Sequence, residues 1–235
     1  MTISMQLRSD YPEVEFIGPA DVYPNVTIGA GSVIYGPVIL GLPPRGSAVG
    51  ELSLVIGPGA VIRAFTVIYA GTTIGARFQT GHHAVIREDN TIGDNCSVGT
   101  CAALESGNRI GRRVRIHTHA GMENATLGNG VFIGPGARLL DDPHVYCPRR
   151  SECVGGVTVE DGAIIGADAT VLAGVTVGRR AIVGAGAVVT SDVPAEVVVV
   201  GNPARVAKRV DELRCRMGFY ERPYLWPTPG VDTED

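Results

Sequence analysis

Residues 157–189 read VTVEDGAIIGADATVLAGVTVGRRAIVGAGAVV, and an aliphatic residue returns at every sixth position of this stretch. The repeating positions are Val159, Ile165, Val171, Val177, Val183 and Val189. An α-helix repeats at 3.6 residues and a β-strand at two, so a sustained period of six is typical of neither alone. The period instead predicts a parallel β-helix built from hexapeptides.

The same register extends toward the N-terminus of the chain. It runs from Ile56 to Met122 at every sixth position, where only Thr80 and Met122 depart from Ile, Leu or Val. It returns one residue early at Leu127 and includes Ile28 and Ile34 upstream. Three hexapeptides close one triangular coil of about eighteen residues, and successive coils stack at roughly 4.8 Å. We therefore expect an all-β solenoid rather than a domain with a globular core.

Two stretches interrupt the period and divide the chain. We expect a β-helix domain over residues 1–200, with external loops at 41–54 and 141–157. Residues 201–235 should form a C-terminal helix and a tail.

The predicted C-terminal α-helix is short and begins near a proline. Asn202 is a candidate N-cap, and Pro203 suits the first helical turn. The apolar residues that follow at helical spacing are Val206, Val210, Leu213 and Met217. In the tail, Tyr220, Tyr224 and Trp226 could either dock on a neighbouring surface or fray.

Composition excludes several classes of partner. The net charge is −4 with acids and bases interspersed, so we expect no nucleic-acid partner. The chain has no long uncharged apolar run and a polar start, which predicts a soluble cytoplasmic protein without a membrane partner. Five cysteines at irregular spacing favour reduced thiols over a disulfide framework.

A closing segment adds a more specific signal to the repeat. Residues 183–194 read VGAGAVVTSDVP, and residues 201–205 read GNPAR. With the repeat and the loop that carries His144, this segment resembles the hexapeptide-repeat acyltransferases, left-handed β-helix enzymes that use acetyl-coenzyme A. The layout is most similar to single-domain nucleotide-sugar N-acetyltransferases.

The resemblance implies a homotrimer with acetyl-coenzyme A in a groove between adjacent prisms. Ala167, Gly184 and Ala185 would let the pantetheine arm approach the backbone. Arg205 and Lys208 would bind the phosphates, although a solvated helix face explains these two residues equally well.

Acyl transfer to an amine or hydroxyl needs a general base, and a neutral imidazole suits that role near pH 7. His144 lies inside the second interruption and is the expected base. Asp141 or Asp142 would orient its ring or contact the substrate amine. Some relatives with Asn-Asp at a similar place need no protein base, so this division of roles stays open.

Residues eighteen positions apart stack on one another in successive coils, which places the candidate substrate residues in two columns. His83 and His119 lie two coils apart in one column, roughly 10 Å from each other, so they cannot share a metal within one subunit. Arg87 and Glu105 are stacked in a second column. These four residues are the candidates for substrate contact. Arg87 over Glu105 is most simply a stacked ion pair, with a substrate role for Glu105 as the alternative.

We predict no metal. His144, Cys147 and Cys153 are chemically suited to zinc, but C-x5-C is not a standard zinc spacing. Loop packing or a redox-sensitive thiol pair explains the cysteines as well.

The leading hypothesis is an acetyl-coenzyme A-dependent acetyltransferase that N-acetylates an amino sugar linked to a nucleoside diphosphate. The first alternative is an O-acetyltransferase acting on a sugar or xenobiotic hydroxyl. The second is a zinc protein like the γ-class carbonic anhydrases, which His83 and His119 favour and Asn124, at the third ligand position, disfavours. A non-enzymatic scaffold trimer is the third.

Overall fold

The computed structural model describes residues 9–144, 146–224, 226–227 and 232. These residues form a parallel β-helix with three sheets of 11, 9 and 8 strands. The predicted all-β solenoid is therefore confirmed.

The strands follow one another in short steps along the chain. Before the first interruption they are β1 (Glu15–Ile17), β2 (Ala20–Val22), β3 (Val26–Ile28), β4 (Val33–Tyr35) and β5 (Val38–Leu42). Between the interruptions they are β6 (Leu54–Ile56), β7 (Val61–Ile62), β8 (Val67–Tyr69), β9 (Thr73–Ile74), β10 (Gln79–Thr80), β11 (Val85–Ile86), β12 (Thr91–Ile92), β13 (Ser97–Val98), β14 (Ala103–Leu104), β15 (Arg109–Ile110), β16 (Arg115–Ile116), β17 (Gly121–Met122), β18 (Thr126–Leu127), β19 (Phe132–Ile133) and β20 (Arg138–Leu139). After the second they are β21 (Thr158–Val159), β22 (Ile164–Ile165), β23 (Thr170–Val171), β24 (Thr176–Val177), β25 (Ile182–Val183), β26 (Val188–Val189), β27 (Val197–Val200) and β28 (Arg205–Arg209). A one-turn helix spans Arg150–Cys153, and a 3-10 helix spans Val210–Glu212.

As far as β26, every third strand belongs to the same sheet, and β27 and β28 then both join the first sheet. The first sheet contains β1, β4, β7 and their successors, the second begins β2, β5, β8, and the third begins β3, β6, β9. In the second sheet Ile86 pairs with Leu104, eighteen positions later in the chain. Because one coil uses three hexapeptides, each aliphatic residue stacks on its equivalent in the next coil.

The interior of the prism is mostly apolar, and a ladder of asparagines runs through part of it. Ile62 and Ile86 are fully buried, as the period predicts. Asn90 and Asn108 are buried too, and the Asn108 side-chain amide donates to Asn90 Oδ1 at 2.8 Å. Asn108 Oδ1 accepts from the Ala125 backbone N–H at 2.9 Å. Each buried amide therefore has a partner in a neighbouring coil.

The predicted C-terminal α-helix is wrong. Arg205–Arg209 forms β28, which pairs antiparallel with β27, and only the three-residue 3-10 helix Val210–Glu212 follows. The last coil would otherwise leave a row of unpaired backbone groups at its edge, and β28 satisfies them. Val206 is 57% exposed, so the helical spacing of the apolar residues does not correspond to a buried helix face.

Both interruptions leave the prism at one corner, between the second and third sheets. Residues 43–53, the first loop, connect β5 to β6, and residues 140–157 connect β20 to β21. We call this edge the loop corner and residues 142–154 the second loop. The prism continues across the second loop, since Leu127 pairs with Val159.

The aromatic tail lies against the first sheet. Tyr224 and Trp226 line a cavity of about 400 Å³ together with Phe132. Asp232 forms an ion pair with Arg180. Among the described residues, we find no helix with the length and apolar character that a membrane crossing requires.

Candidate active site

A column of side chains connects the two loops along the loop corner. Arg87 and Glu105 follow β11 and β14, and Glu123 follows β17 in the next coil. Met122 pairs with Leu139, so the second interruption begins one coil beyond Glu123. The register therefore places the carboxylates of this column directly before the loop that contains His144.

The predicted ion pair between Arg87 and Glu105 is confirmed. Arg87 Nη1 lies 3.0 Å from Glu105 Oε2, and Arg87 Nη2 lies 2.8 Å from Glu88 Oε1. The hydrogen bond to Glu88, followed by that to Glu105, raises the pKa of Arg87 above its usual value. The guanidinium also lies 5.8 Å from the Tyr69 ring centroid. Two carboxylates thus already balance this cation, and because the pair is solvent-facing it adds little to stability.

Asp141 anchors the base of the second loop. It is buried, and its Oδ2 accepts from the Asn124 side-chain amide at 2.8 Å. Its carbonyl oxygen accepts from the Gly155 N–H at 2.9 Å, so the loop begins and ends at one point. Gly156 is required beside it, because an added Cβ would lie 1.7 Å from the Asn124 carbonyl oxygen.

The tip of the loop gathers an imidazole and two thiols. The His144 backbone N–H donates to Asp142 Oδ1 at 3.0 Å, and the Cys147 N–H donates to the His144 carbonyl at 3.1 Å. The ligand atoms of His144, Cys147 and Cys153 all lie within 4.8 Å of one another. A hydrogen bond with Cys147 is the main cause that raises the pKa of Cys153. The three side chains can act on a proton or hold a soft cation.

A groove of about 410 Å³ lies elsewhere, on the first sheet. Arg63, His82, Arg115 and His117 contribute to its lining. Sequence reasoning missed both histidines. The repeat could have located them. His82 lies one position before His83, and His117 lies two positions before His119, so both belong to the first sheet beside that corner.

His83 and His119 occupy the corner beside this groove, as their shared column predicts. Both have positive φ, 56° and 59°, which marks the turn between two sheets. The His83 ring stacks on Phe65 with centroids 4.5 Å apart, and His119 Nδ1 lies 3.3 Å from Thr118 Oγ1. The structure therefore assigns both rings local contacts within the chain.

The late coils carry the predicted cofactor residues on their outer surface. Ala185 is exposed and Ala167 is half-buried. Gly184 has a packing reason for lacking a side chain, since an added Cβ would lie 2.8 Å from Val200 Cγ1.

Arg205 and Lys208 lie on β28 rather than on a helix, and both are exposed. Arg205 lines a cavity of about 320 Å³ together with residues 189–194 of the closing segment. The strand pairing of β28 therefore brings one predicted phosphate ligand next to that segment.

The fold and the repeat define a hexapeptide-repeat β-helix. Residues 156–191 match the family model described as bacterial transferase hexapeptide (six repeats), which confirms the resemblance to hexapeptide-repeat transferases.

Two curated relatives match a little more than a third of the chain. A 2,3,4,5-tetrahydropyridine-2,6-dicarboxylate N-acetyltransferase of Halalkalibacterium halodurans is 48% identical over 88 residues, which cover 37% of this chain and 34% of the relative. The enzyme of that name from Staphylococcus carnosus is 43% identical over 88 residues, with the same coverage of both chains. The chain spans about a third of the length of these curated relatives.

One solved structure follows most of the prism. The UDP-N-acetylglucosamine acyltransferase of Arabidopsis superposes with a TM-score of 0.60 at 19% identity. The superposition covers 85% of this chain and 73% of that one, and at this identity it shows a shared fold alone.

Proposed function

We propose that this protein is an acetyl-coenzyme A-dependent N-acetyltransferase. The observation that carries the proposal is the transferase hexapeptide match over residues 156–191. The matched coils end where Arg205 and residues 189–194 line a common cavity. The curated relatives, named as N-acetyltransferases, support the same reaction class.

The cofactor lies along the late coils in this proposal. Ala167, Gly184 and Ala185 leave the backbone accessible to the pantetheine arm, and Arg205 and Lys208 bind the phosphates. These residues sit on one outer surface of a convex prism, so a second prism is needed to close a groove over the cofactor. A homotrimer supplies it.

His144 acts as the general base. The acceptor nitrogen attacks the thioester carbonyl carbon, His144 removes a proton from that nitrogen, and the C–S bond breaks. Coenzyme A then leaves as a thiolate and takes up a proton. Asp142 holds the His144 backbone, and Asp141 fixes the loop to the prism through Asn124.

The proposed acceptor is an amino sugar linked to a nucleoside diphosphate. Glu105 in the loop-corner column would contact the sugar amine, while Arg87, His83 and His119 would contact the hydroxyls and phosphates. A hydroxyl acceptor is the alternative, because the same base would serve an oxygen nucleophile.

A second candidate acceptor is a small dicarboxylate with a ring or amino nitrogen. The names of the curated relatives favour it. Arg63 and Arg115 in the groove of the first sheet would pair with two carboxylates. A panel of nucleotide-linked amino sugars and cyclic dicarboxylates, assayed for release of coenzyme A, separates the two candidates.

A thermal-shift titration with acetyl-coenzyme A tests the reaction class itself. Binding to the native state raises the melting temperature by mass action, and a Kd of 10 µM gives about 2.7 kcal/mol at 1 mM ligand. The double substitution Arg205→Ala and Lys208→Ala should shrink the shift, whereas Arg214→Ala, beyond β28, should not. No shift with the unaltered protein at 1 mM contradicts the proposal.

A further inference from the structure

The second loop brings together three side chains that all bind soft divalent metals. We propose that His144, Cys147 and Cys153 form a Zn²⁺ site at the tip of this loop. The sequence favoured no metal, because the spacing of the two cysteines is unusual. The structure changes that conclusion, because metal binding depends on the distances between ligand atoms and not on their separation along the chain.

The distances suit tetrahedral zinc after a small contraction. With Zn–S of about 2.3 Å and Zn–N of about 2.0–2.1 Å, tetrahedral ligand atoms lie about 3.6–3.8 Å apart. The imidazole and both thiols are within 4.8 Å of one another. The closure needed is at most about 1 Å, and His144 and Cys153 are exposed side chains whose rotamers are free to adjust.

The loop holds the ligands near each other before any metal arrives. The hydrogen bond between the Asp141 carbonyl and the Gly155 N–H closes the loop at its base. The Cys147 N–H bonded to the His144 carbonyl fixes a turn between two ligands, and the one-turn helix Arg150–Cys153 presents the third. Much of the loop-closing entropy is therefore lost on folding rather than on metal binding.

The ligand chemistry selects the metal class. Two thiolates and one imidazole favour zinc over calcium or magnesium, which prefer oxygen ligands. The thiolates neutralise the divalent charge, and Asp142 beside His144 adds a further negative group. Three protein ligands leave the fourth tetrahedral position for solvent.

Metal binding has a consequence for the base, and this part rests on the proposed function. Neutral imidazole has one nitrogen lone pair, and its other nitrogen carries a proton. A His144 nitrogen bound to zinc therefore cannot accept a proton from the acceptor amine. Zinc at this site would stop acetyl transfer.

Cobalt titration of the reduced protein tests the site without any acetyl donor. After chelator treatment and buffer exchange, Co²⁺ should bind at one equivalent and give thiolate-to-cobalt absorption in the near ultraviolet. Zn²⁺ should displace it. His144→Ala, Cys147→Ser and Cys153→Ser should each weaken binding by at least about 100-fold, because removing a direct ligand costs no less than removing an outer-shell partner.

Cys215→Ser is the matched control. Its thiol is a competing ligand outside the loop, and hydrogen bonds from backbone N–H groups lower the pKa of Cys215. The control should bind cobalt as the unaltered chain does. Absence of the absorption band, a band that survives all three loop substitutions, or a Cys147–Cys153 disulfide that persists under reductant would each overturn the proposal. None of these outcomes affects the acetyl-coenzyme A thermal shift, so failure of the metal site and failure of the proposed function are distinguishable.

Discussion

The two loops at the loop corner share a position but differ in content. In the first loop two backbone N–H groups are satisfied by residues of the loop itself. The Ala48 N–H donates to Glu51 Oε2 at 2.7 Å, and the Ser47 N–H donates to the Pro44 carbonyl at 3.1 Å. The second loop instead carries an imidazole and two thiols held close together. The prism supplies a place for an insertion, and the inserted residues decide its chemistry.

The two loops end in the same way. The Ser53 carbonyl accepts from the Gly71 N–H at 2.7 Å, and the Gly155 carbonyl accepts from the Gly174 N–H at 2.9 Å. Each loop therefore returns to the prism by a bond to the next coil. Equal anchoring makes the first loop a fair control for the second.

The largest expected effect is on turnover. His144→Ala should lower the turnover number by about 10²–10⁴, because the acceptor loses its general base. Glu51→Ala, which removes a side-chain cap from the first loop, should change it less than about threefold, since that loop takes no part in the proposed chemistry. Steady-state release of coenzyme A measures both. A loss below threefold for His144→Ala would place the base elsewhere.

Zinc inhibition of turnover should also depend on the second loop and not on the first. At ten times the zinc Kd, turnover should fall about tenfold, because only a tenth of the protein keeps a free imidazole. A chelator should restore it. The ratio of rates with and without zinc should approach one in Cys153→Ser, and it should be unchanged in Glu51→Ala. Zinc inhibition that persists in Cys153→Ser would mean that the metal acts at another site.

The contrast between prism and loops also explains what the sequence could predict. The period of six reports the stacking of aliphatic residues, so the coils, the interruptions and the Arg87–Glu105 pair followed from it. The C-terminal helix did not, because the spacing of Val206 and Val210 says nothing about the open sheet edge that β28 covers. The proximity of His144, Cys147 and Cys153 depends on the turns of the loop backbone, and no sequence repeat reports those turns. For that reason spacing alone argued against a metal there.

The regular coils between the loops should depend on the asparagine ladder. Asn108→Ala leaves the buried Ala125 N–H without its acceptor and removes the side-chain donor to Asn90 Oδ1, which keeps the Asn108 backbone N–H at 3.1 Å. At about 1–3 kcal/mol for the unsatisfied Ala125 N–H and about 1 kcal/mol for the lost bond to Asn90, the free energy of unfolding should fall by about 2–4 kcal/mol. Arg45→Ala in the first loop should change it by less than about 0.5 kcal/mol. Equilibrium urea unfolding compares them, and equal effects would contradict the assigned role of the ladder.

The smallest expected effect is on the pH dependence of stability, and it compares a thiol inside the prism with the thiols in the second loop. Burial raises the pKa of Cys96 from its usual 9.0 to about 11. Between these values the unfolded chain loses the Cys96 proton while the folded chain keeps it. The free energy of unfolding should therefore fall as pH rises from 9 to 11, by about 2 kcal/mol for this group. Cys96→Val should remove that part of the pH dependence, whereas Cys153→Ser should leave it.

Reactivity toward a thiol reagent at pH 8 should distinguish the buried Cys96 from the thiols of the second loop. Cys96 should stay unmodified in the native protein because it is buried and protonated, and Cys153 should react because it is exposed. Saturating zinc should protect Cys147 and Cys153 and leave the exposed Cys101 reactive. Peptide mapping after brief labelling reads each position. Loop thiols that react equally with and without zinc would show that the two loops differ in sequence but not in metal chemistry.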